Sequence, residues 1–561
     1  MGKDKQVKIK EILKSIAEGM DACRAGKADP ARNAHAGREA MKELPTGVQG
    51  FAMLRREDML YVDKTARLLE MIRMGRRIFL SRPRRFGKSL TVSTLEAMFG
   101  GQAELFHGLA AEDWVQRQSE HPCPVIRLDM SMLHPYTSVA GLDDSLARFF
   151  KKIAKRHNIQ INYSDTCVAV LSDLVENMYD KFGDIVFLVD EYDKPILDNI
   201  TDREKANSIR IILRNIFTLI KGYDEYFRYI FITGISKFTK AGIFSAMNNL
   251  NDISMQEGFG DIVGYTQDEL NNNFKTWIKK TSDITSQNEE DVLKDLKEYY
   301  DGFCFDGKIK VYNPYSILMY FTKNRIGNYW YYSGNPSFII DWMQEHQIQS
   351  PEQYRHIEVN ENFADNREIE RAQPESFLFQ SGYLTIEKRI GKKIILDYPN
   401  KEVLNSISSL YLENALCIKL YMTLGSDIWK ALQKADIAEL GVQFNKALAD
   451  VAYDDFPKRD EFWYRSLFRM LLRGADIVTH AEVHASRGRS DVVVQFDKLI
   501  VVLEFKFAPT SDAVEACKAE GIGQMQERRY ARGYEARNRR VVEAVVVADD
   551  EARKAMFYQL T

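Results

Sequence analysis

The stretch IFLSRPRRFGKSL, residues 78–90, carries the strongest indication of the fold. A short apolar run leads through a basic turn into Gly87-Lys88-Ser89, where a helix is predicted to begin. In a strand–turn–helix context, backbone N–H groups and the helix N-terminus converge on one anion. The pattern therefore predicts a phosphate-binding loop for ATP, with Lys88 at the terminal phosphates and the Ser89 hydroxyl on Mg²⁺. The residues assigned to the nucleotide in this loop are Arg84, Arg85, Phe86, Gly87, Lys88, Ser89 and Leu90.

The loop departs from the usual pattern at Arg82, which stands where the first glycine is expected. Either Arg82 adopts a backbone conformation typical of glycine, or the loop follows a different path. An ordinary basic turn at the start of a helix is the competing interpretation, because short motifs occur by chance.

A second motif, IVFLVDE at residues 185–191, is an apolar run that ends in two acids. We expect Asp190 to hold Mg²⁺ through water and Glu191 to polarise the attacking water. A solvated strand end is the alternative, but two motifs in this order, each after a strand, favour the catalytic interpretation. Ser236 or Thr233, at the end of a third strand, is a candidate γ-phosphate sensor, although a plain turn fits equally well.

From Pro45 onward, short apolar runs alternate with amphipathic helices, which is typical of a parallel sheet flanked by helices. The fold class is α/β: a P-loop NTPase sheet with a helical lid, followed by a small C-terminal α/β domain of the restriction-endonuclease-like type. Four strands are predicted in the first sheet: Ile78–Ser81, Val125–Asp129, Ile185–Asp190 and Tyr229–Thr233. The predicted boundaries are a helical or flexible leader (1–44), the ATPase core (45–264), the lid (265–345), a mostly helical connection (346–455) and the C-terminal domain (456–561).

Composition excludes several classes of protein. The 561 residues are too many for one core, and 45% apolar with 28% charged residues argues against extensive disorder and against a membrane protein. With a net charge of −3, contact with nucleic acid must come from a local basic patch. No signal-like apolar stretch stands at the N-terminus and no CxxC pair occurs, so a reducing cytoplasmic location is expected, with oligomer formation possible.

A second carboxylate pair stands near the C-terminus. Asp491 leads into an apolar strand, and Glu504 lies at the end of the next, so a hairpin brings them together at one edge. With the backbone carbonyl of Phe505 they suit a hard cation such as Mg²⁺, and Mn²⁺ is a possible substitute. Lys506 projects from the same strand face as Glu504 and is placed to orient or deprotonate a metal-activated water.

The alternative for this segment is a surface hairpin in which Glu504 and Lys506 simply pair across water. A local basic surface adjoins the hairpin in sequence and suits a phosphate backbone, although basic helix faces are usually just solvated. It comprises Arg528, Arg529, Arg532, Arg537, Arg539 and Arg540. In HAEVH, residues 480–484, two histidines and Glu482 share one strand face, but incidental histidines are the simpler interpretation.

Three segments resemble the bacterial and archaeal family of AAA-ATPase-like proteins: YVDKT (61–65), RPRRFGKS (82–89) and DEYDKP (190–195). The resemblance extends through YDGF (300–303), YNPY (312–315), GYLTI (382–386) and PNKEV (399–403). In that family the first glycine of the phosphate loop is usually replaced, so Arg82 looks like a family feature. Asp63 has no role that we can assign beyond a helix N-cap.

The C-terminal segment resembles the PD-(D/E)XK nuclease superfamily. The resemblance implies that Asp491, Glu504 and Lys506 form the core triad and that Glu461 on the preceding helix helps to hold metal. It also matches Gln524 and Tyr530 to a Gln/Tyr motif and Glu482 to a glutamate near the site. The resulting hypothesis is an ATPase coupled to a Mg²⁺-dependent nuclease that acts on DNA or RNA; the rival is a regulatory ATPase whose C-terminal domain binds without cleaving.

Overall fold

The computed structural model of the chain describes residues 41–162, 166–200, 202–236, 247, 249–330, 350–364, 373–416, 418, 422–451, 459–475, 477–485, 488–496, 499–528 and 539–560. Residues Glu43–Thr561 group into one contact unit, which contains all the sheets described below. The predicted leader lies outside the described residues except for its last four.

A five-stranded parallel sheet, in the order β2-β3-β4-β1-β5, organises the first half of the chain. Its strands are β1 (Arg77–Ser81), β2 (Val125–Asp129), β3 (Ile185–Asp190), β4 (Phe227–Gly234) and β5 (Asn251–Asp252). Strands β1 and β3 are buried along their whole length, as parallel strands covered on both faces should be. The four predicted strands are confirmed, whereas β5 has only two residues and leaves no periodic pattern in the sequence.

Eight helices belong to this part of the described chain: two precede β1, and the others lie between successive strands. They are α1 (Phe51–Arg56), α2 (Thr65–Met74), α3 (Lys88–Phe99), α4 (Glu112–Gln118), α5 (Val139–Arg156), α6 (Cys167–Phe182), α7 (Lys194–Leu197) and α8 (Arg203–Gly222). The N-cap prediction for Asp63 is wrong by one position, because Lys64 is the N-cap of α2. The Asp63 carboxylate instead accepts the N–H groups of Thr65 and Ala110, both at 2.8 Å.

A helical segment follows, with α9 (Gln267–Asn273), α10 (Lys275–Thr285), α11 (Glu289–Tyr300) and α12 (Pro314–Lys323). Between α11 and α12 lies a two-stranded hairpin, β6 (Phe303–Cys304) and β7 (Lys310–Val311). These helices share an apolar core with Leu60 and Val62, which precede the phosphate loop in the chain. The helical content expected here is present in the described residues, and a lid role stays a prediction.

The connecting region combines helices with a three-stranded antiparallel sheet, in the order β8-β10-β9. The strand-like pattern near residues 383–397 becomes the hairpin of β9 and β10, and β8 joins it from an unpredicted position. The elements are β8 (Ile357–Asn360), α13 (Pro374–Ser381), β9 (Thr385–Ile390), β10 (Lys393–Asp397), α14 (Lys401–Leu410), α15 (Met422–Lys434) and α16 (Ile437–Asp450).

The last segment forms a mixed five-stranded sheet in the order β11-β12-β13-β14-β15. Strands β13 and β14 are parallel and joined through α18, whereas the other pairs are antiparallel. The final strand β15 was not predicted. The elements are α17 (Glu461–Gly474), β11 (Val478–Ala485), β12 (Gly488–Phe496), β13 (Leu499–Ala508), α18 (Val514–Arg528), β14 (Arg540–Asp549) and β15 (Lys554–Gln559). Across the described ranges, no helix is both long enough and apolar enough to cross a bilayer.

Candidate active sites

A cleft of about 530 Å³ lies over the phosphate loop. Its floor carries Lys88, Ser89 and Glu191, which come from the two predicted motifs. Its mouth is formed by apolar and aromatic residues from the chain before α1 and from the helical segment, including Val48, Tyr265, Pro314, Tyr315 and Leu318. The combination of a charged floor and an apolar rim suits a nucleotide, whose phosphates and base need different surroundings.

The loop takes a different path from one built on a glycine at position 82. Arg82 is absent from the left-handed region, which is occupied instead by Arg85 (φ 67°) and Gly87 (φ 92°). Gly87 is the N-cap of α3, and no neighbouring atom lies within 4 Å of where a Cβ would stand, so its requirement is conformational. The residues with left-handed backbone therefore lie next to the helix. Of the two possibilities considered for Arg82, the loop follows the second: it takes a different path, and Arg82 does not adopt a glycine-like conformation.

Arg82 itself is a buried structural cation, only 1% exposed. Its guanidinium donates to the carbonyl oxygens of Ser254 at 2.7 Å and Phe259 at 2.9 Å, and it lies 4.2 Å from the ring centre of Phe305. Burial lowers the pKa of Arg82 to about 10. Nearby carboxylates act in the opposite direction, and Asp306 has the largest effect among them. Replacement of the usual glycine thus fastens the base of the loop to the chain after β5.

Lys88 and the two acids of the second motif face one another. Lys88 is buried and donates to the carbonyl oxygens of Arg82 (2.9 Å) and Pro83 (2.8 Å). Burial lowers its pKa, while Glu191 and Asp190 raise it. Burial raises the pKa of both acids, and Lys88 opposes this in each. The predicted charge cluster is therefore assembled beside the loop.

The two acids differ in geometry. Asp190 is 1% exposed, and neither of its carboxylate oxygens has a hydrogen bond of ordinary geometry in the described part of the chain, although the Ser89 hydroxyl is close enough to lower its pKa. Such orphaned oxygens fit a divalent cation or its water ligands, since buried carboxylates are otherwise costly. Glu191 lines the cleft and is held at φ 51°, a strained conformation for a residue with a side chain.

Asp193 is a site residue that the sequence interpretation missed. It is buried, and its Oδ2 accepts the N–H groups of Ile235 (2.9 Å) and Ser236 (2.7 Å) and the Ser236 hydroxyl (2.8 Å). It thereby ties the end of β4 to the acidic motif. Ser236 donates its hydroxyl to Asp193 and Thr233 donates to Leu80, so a sensor role for either stays a prediction. The DEYDKP match was the available signal for Asp193.

The rest of the loop is held by aromatic neighbours. Phe86 is buried against Phe303 and Phe305, with ring centres 4.9 and 5.5 Å away. The exposed Arg85 guanidinium lies 4.8 Å from the ring centre of Tyr315. Leu90 lines the cleft with Arg84 and Arg85. Six of the seven loop residues assigned from the sequence thus line the cleft, and the seventh, Phe86, is packed in the core.

The Arg84 carbonyl connects the loop to a buried glutamate. The Trp330 indole donates to this carbonyl at 3.1 Å, and the Trp330 backbone N–H donates to Glu402 at 2.7 Å. Glu402 is fully buried and accepts a second hydrogen bond, from Ser316, at 2.7 Å. Glu402 lies in the PNKEV match, but its contact with Trp330 spans 72 residues and no local pattern predicts it.

The second cluster forms where β12 and β13 pair. Val492 pairs with Leu503, which brings Asp491 and Glu504 together at the next position, as the hairpin predicted. Asp491 Oδ2 accepts the N–H of Phe505 at 2.8 Å, and its Oδ1 accepts from Arg465 at 2.6 Å. Arg465 was not predicted. The expected Phe505 contribution, its carbonyl oxygen, stays a prediction, because the contact present here is made by its N–H group.

Glu504 and Lys506 lie on one face of β13, where Gln524 of helix α18 meets Lys506. Glu504 is 1% exposed, and burial, with a contribution from Asp491, raises its pKa to about 7. Lys506 Nζ lies 3.6 Å from Glu504 Oε1 and donates to Gln524 Oε1 at 2.8 Å. Lys506 also pairs with Glu520 at 3.2 Å. The structure thus brings Gln524 into this cluster with Lys506.

Glu461 begins α17, which Asp460 caps by accepting the Trp463 N–H at 2.9 Å. Burial and the charge of Asp491 raise the pKa of Glu461, while Lys506 lowers it. Glu504 Oε2 is buried without a hydrogen-bond partner among the described residues. The three acids thus form one electrostatic cluster, in which the orphaned Glu504 oxygen suits a divalent cation. Their ligand oxygens do not all lie within 4.8 Å of one another, so Glu461 as a metal ligand stays a prediction.

Some predicted residues fall outside the described chain. Tyr530 is one, as are Arg529, Arg532 and Arg537 of the expected basic surface. Glu482 lies on β11, but its side chain, like those of His480 and His484, is outside what the structure describes. Arg528 is described, and its charge lowers the pKa of Glu504, so this end of the basic surface does reach the cluster.

Comparison with known proteins matches two families to this chain. Residues 45–244 match a family model described as a predicted AAA-ATPase, and residues 459–558 match the PD-(D/E)XK nuclease superfamily. A protein of Azotobacter chroococcum mcd 1, named "Uncharacterized protein in vnfD 5'region", is 31% identical over 510 residues, which is 88% of this chain and 94% of that protein.

Two solved structures show weak likeness. The Aeropyrum pernix ORC1 protein in complex with DNA matches 62% of this chain and 91% of its own at 11% identity and a TM-score of 0.25. Drosophila ORC bound to poly(dA/dT) DNA and Cdc6 matches 80% of this chain and 70% of its own at 9% identity and a TM-score of 0.23. Scores this low carry no argument. The family matches and the 31% identical relative show that the chain belongs to the predicted AAA-ATPase family and carries a PD-(D/E)XK nuclease superfamily domain at its C-terminal end.

Proposed function

We propose that this protein binds and hydrolyses ATP at the phosphate loop and cleaves phosphodiester bonds of DNA, or of RNA, at the C-terminal cluster. The observation that carries the proposal is the contact of Lys506 with buried Glu504, next to Asp491 across the hairpin. A lysine beside two carboxylates with an orphaned oxygen is poorly explained by stability alone, because buried charges are costly unless they are fully paired.

At the first site, Lys88 and Ser89 would bind the β- and γ-phosphates with Mg²⁺, and Asp190 would hold the cation through water. Glu191 would then orient the attacking water, since it lines the cleft and is fixed at an unusual backbone angle. Its raised pKa suits a group that accepts a proton during the reaction.

At the second site, Asp491, Glu504 and Glu461 would hold Mg²⁺ or Mn²⁺, which supplies Lewis acidity toward the scissile phosphate. Lys506 would position the attacking water or take its proton, and Gln524 would hold the Lys506 amino group in place. Arg528 adds positive charge near Glu504, where a phosphate backbone would lie.

Cleavage is tested with labelled DNA and RNA in the presence of Mg²⁺ or Mn²⁺. We expect cleavage by the full chain and loss of at least a hundredfold in Asp491→Ala and Lys506→Ala, with ATP hydrolysis retained. In Glu191→Gln we expect ATP hydrolysis to be abolished while ATP binding and nucleic acid cleavage are retained. If ATP is hydrolysed and both nucleic acids stay intact, the nuclease half of the proposal is wrong.

The rival function, a regulatory ATPase whose last domain binds without cleaving, is favoured by one observation. Both Asp491 oxygens already accept from protein donors, the Phe505 N–H and Arg465. Under this alternative Asp491→Ala would leave every activity unchanged, and nucleic acid or a protein would bind without turnover. The Asp491→Ala and Lys506→Ala variants therefore separate the two functions directly.

A further inference from the structure

A second cleft, of about 280 Å³, lies at the β2 edge of the ATPase sheet. We call it the basic cleft, after Arg127, Arg148, Lys152 and Arg156 in its wall. Helix α5 provides the last three, and β2 with the turn that follows provides the opposite side. None of these residues belongs to the nucleotide site or to the C-terminal cluster, so neither proposed activity accounts for this surface.

The cations of α5 are aligned and available. Arg148, Lys152 and Arg156 recur every four residues and are exposed, so they form one row on the helix. Lys152 and Arg156 make no ion pair with any residue that the structure describes, and Arg148 donates only to the Asp144 carbonyl at 3.2 Å. Arg127 differs, because it pairs with Glu96 at 3.0 Å. The row therefore presents positive charge that the protein itself leaves unneutralised.

An apolar strip accompanies the charge. Met132 is 65% exposed, and Phe149 and Ile153 line the same cleft. At 1.5 Å per residue, the row from Arg148 to Arg156 extends about 12 Å, a length over which one strand of a duplex carries roughly three phosphates at about 3.4 Å of helix axis each. Positive groups beside an aromatic face are the features that bind a sugar–phosphate backbone and stack its bases.

The basic cleft also adjoins the nucleotide site. Asp129 ends β2 in the cleft wall, and it is the register partner of Asp190, the acid at the end of β3. The Asp129 carboxylate accepts from the N–H and hydroxyl of Ser131, at 2.9 and 2.6 Å, which holds the turn that carries Met132. A ligand in the basic cleft would therefore contact the strand end and turn next to the ATP-hydrolysing acids.

We propose that the basic cleft binds the backbone of a nucleic acid strand and so provides the ATPase part with its own contact to the substrate. The choice of a nucleic acid over another polyanion rests on the proposed function. Because the cleft adjoins Asp129, ATP hydrolysis should also rise when a strand is bound there.

Helix α5 supplies a matched control for the test. Lys152→Gln/Arg156→Gln removes two charges from the cleft, whereas Lys151→Gln/Lys155→Gln removes two exposed charges from the same helix outside it. Binding of a fluorescent single strand of about 20 nucleotides is measured with EDTA, which prevents cleavage, over a series of salt concentrations. We expect the dissociation constant of the cleft variant to rise about tenfold and its salt slope to fall by roughly 1.5, with little change in the control.

Equal losses in both variants would indicate a general field and overturn the proposal, as would full affinity in the cleft variant. A cleft variant that loses binding of polyglutamate but keeps that of the strand would overturn it in favour of an acidic protein partner. Melting temperatures within about a degree of each other establish that both variants are folded. Cleavage by the unaltered protein with Mg²⁺ is scored separately, so failure of the nuclease proposal is distinguishable from failure of this one.

Discussion

Two buried glutamates, each supporting one of the sites, are stabilised in opposite ways. Glu402, under the phosphate loop, is fully buried and accepts from two neutral donors, Trp330 and Ser316. Glu352, beneath α17, is 6% exposed and pairs with Arg469 at 2.6 Å and with Arg473. Burial raises the pKa of Glu402 to about 8. Burial acts in the same direction on Glu352, but the two arginines outweigh it and lower its pKa.

Burial alone therefore does not set the charge of a buried acid near these sites. The neutral donors of Glu402 lower its pKa less than burial raises it, so its carboxyl group is largely protonated at neutral pH, whereas the arginines keep Glu352 ionised. Glu402 reaches the nucleotide site through Trp330 and the Arg84 carbonyl. Glu352 reaches the nuclease site through α17, which carries Arg469 and Arg473 together with Glu461 and Arg465. The two sites should therefore respond differently to mutation and to pH.

The largest effect is expected from Glu352→Ala. This change leaves Arg469 and Arg473 buried without their carboxylate, which should lower the free energy of unfolding by about 3–5 kcal/mol. Urea unfolding at neutral pH measures the loss. The control is Glu358→Ala, whose partner Lys393 lies 2.6 Å away on the surface, where a pair is worth about 0–1 kcal/mol. Similar losses in both variants would contradict the role of Glu352.

The next effect concerns pH. Because the pKa of Glu402 is raised from 4.5 to about 8, its contribution to stability is complete below pH 4.5 and declines as the pH rises toward 8. Between about pH 6 and pH 7.5 the unfolding free energy should fall by up to about 2 kcal/mol in the unaltered protein, and much less in Glu402→Gln. Melting curves across this range test it, with the exposed Glu298→Gln as control.

Glu352 should show the opposite sign. Its lowered pKa means that its contribution is present above pH 4.5 and is lost as the pH falls below that value. If the Glu402→Gln profile parallels that of the unaltered protein, burial does not keep Glu402 protonated against its two donors, and the comparison fails.

The sequence predicts the features that arise from adjacent residues or from the apolar pattern of a single strand. The phosphate loop, the Asp190-Glu191 pair and the strands that precede them follow from local apolar runs that end in chemistry-bearing residues. The Asp491/Glu504 pair follows because a hairpin register is short-range. For the same reason the fold class and most of the order of elements were correctly predicted, apart from the strands β5, β6, β7, β8 and β15.

Contacts that are distant in sequence were not predicted. Glu352 meets Arg473 across 121 residues, and no periodicity encodes that meeting. Arg465 lies four residues after Glu461 on an amphipathic helix, where the sequence pattern predicts an arginine in contact with solvent. Its contact with Asp491 of β12 follows only from the tertiary structure. The path of the loop at Arg82 was undecided for a similar reason, because its partners come from the chain after β5.

A tenfold effect is expected at Arg465. Its guanidinium lies 2.6 Å from Asp491 Oδ1 and would repel a divalent cation bound to the same carboxylate. In Arg465→Gln we expect Mn²⁺ to bind the cluster about tenfold more tightly, measured by calorimetry without nucleic acid. The exposed Arg540→Gln should leave the affinity unchanged. Weaker Mn²⁺ binding in Arg465→Gln would instead mean that Arg465 holds Asp491 in its ligating orientation.

The smallest effect tests the connection between Glu402 and the nucleotide. Trp330→Phe keeps an aromatic ring among Phe303 and Tyr383 but removes the indole donor to the Arg84 carbonyl. One lost hydrogen bond is worth about 1 kcal/mol, so ATP affinity should fall about fivefold. Trp277→Phe is the matched control, because the Trp277 indole N–H has no partner among the described residues. If both variants bind ATP as tightly as the unaltered protein, Glu402 stabilises the fold without holding the loop, and only Glu352 supports an active site.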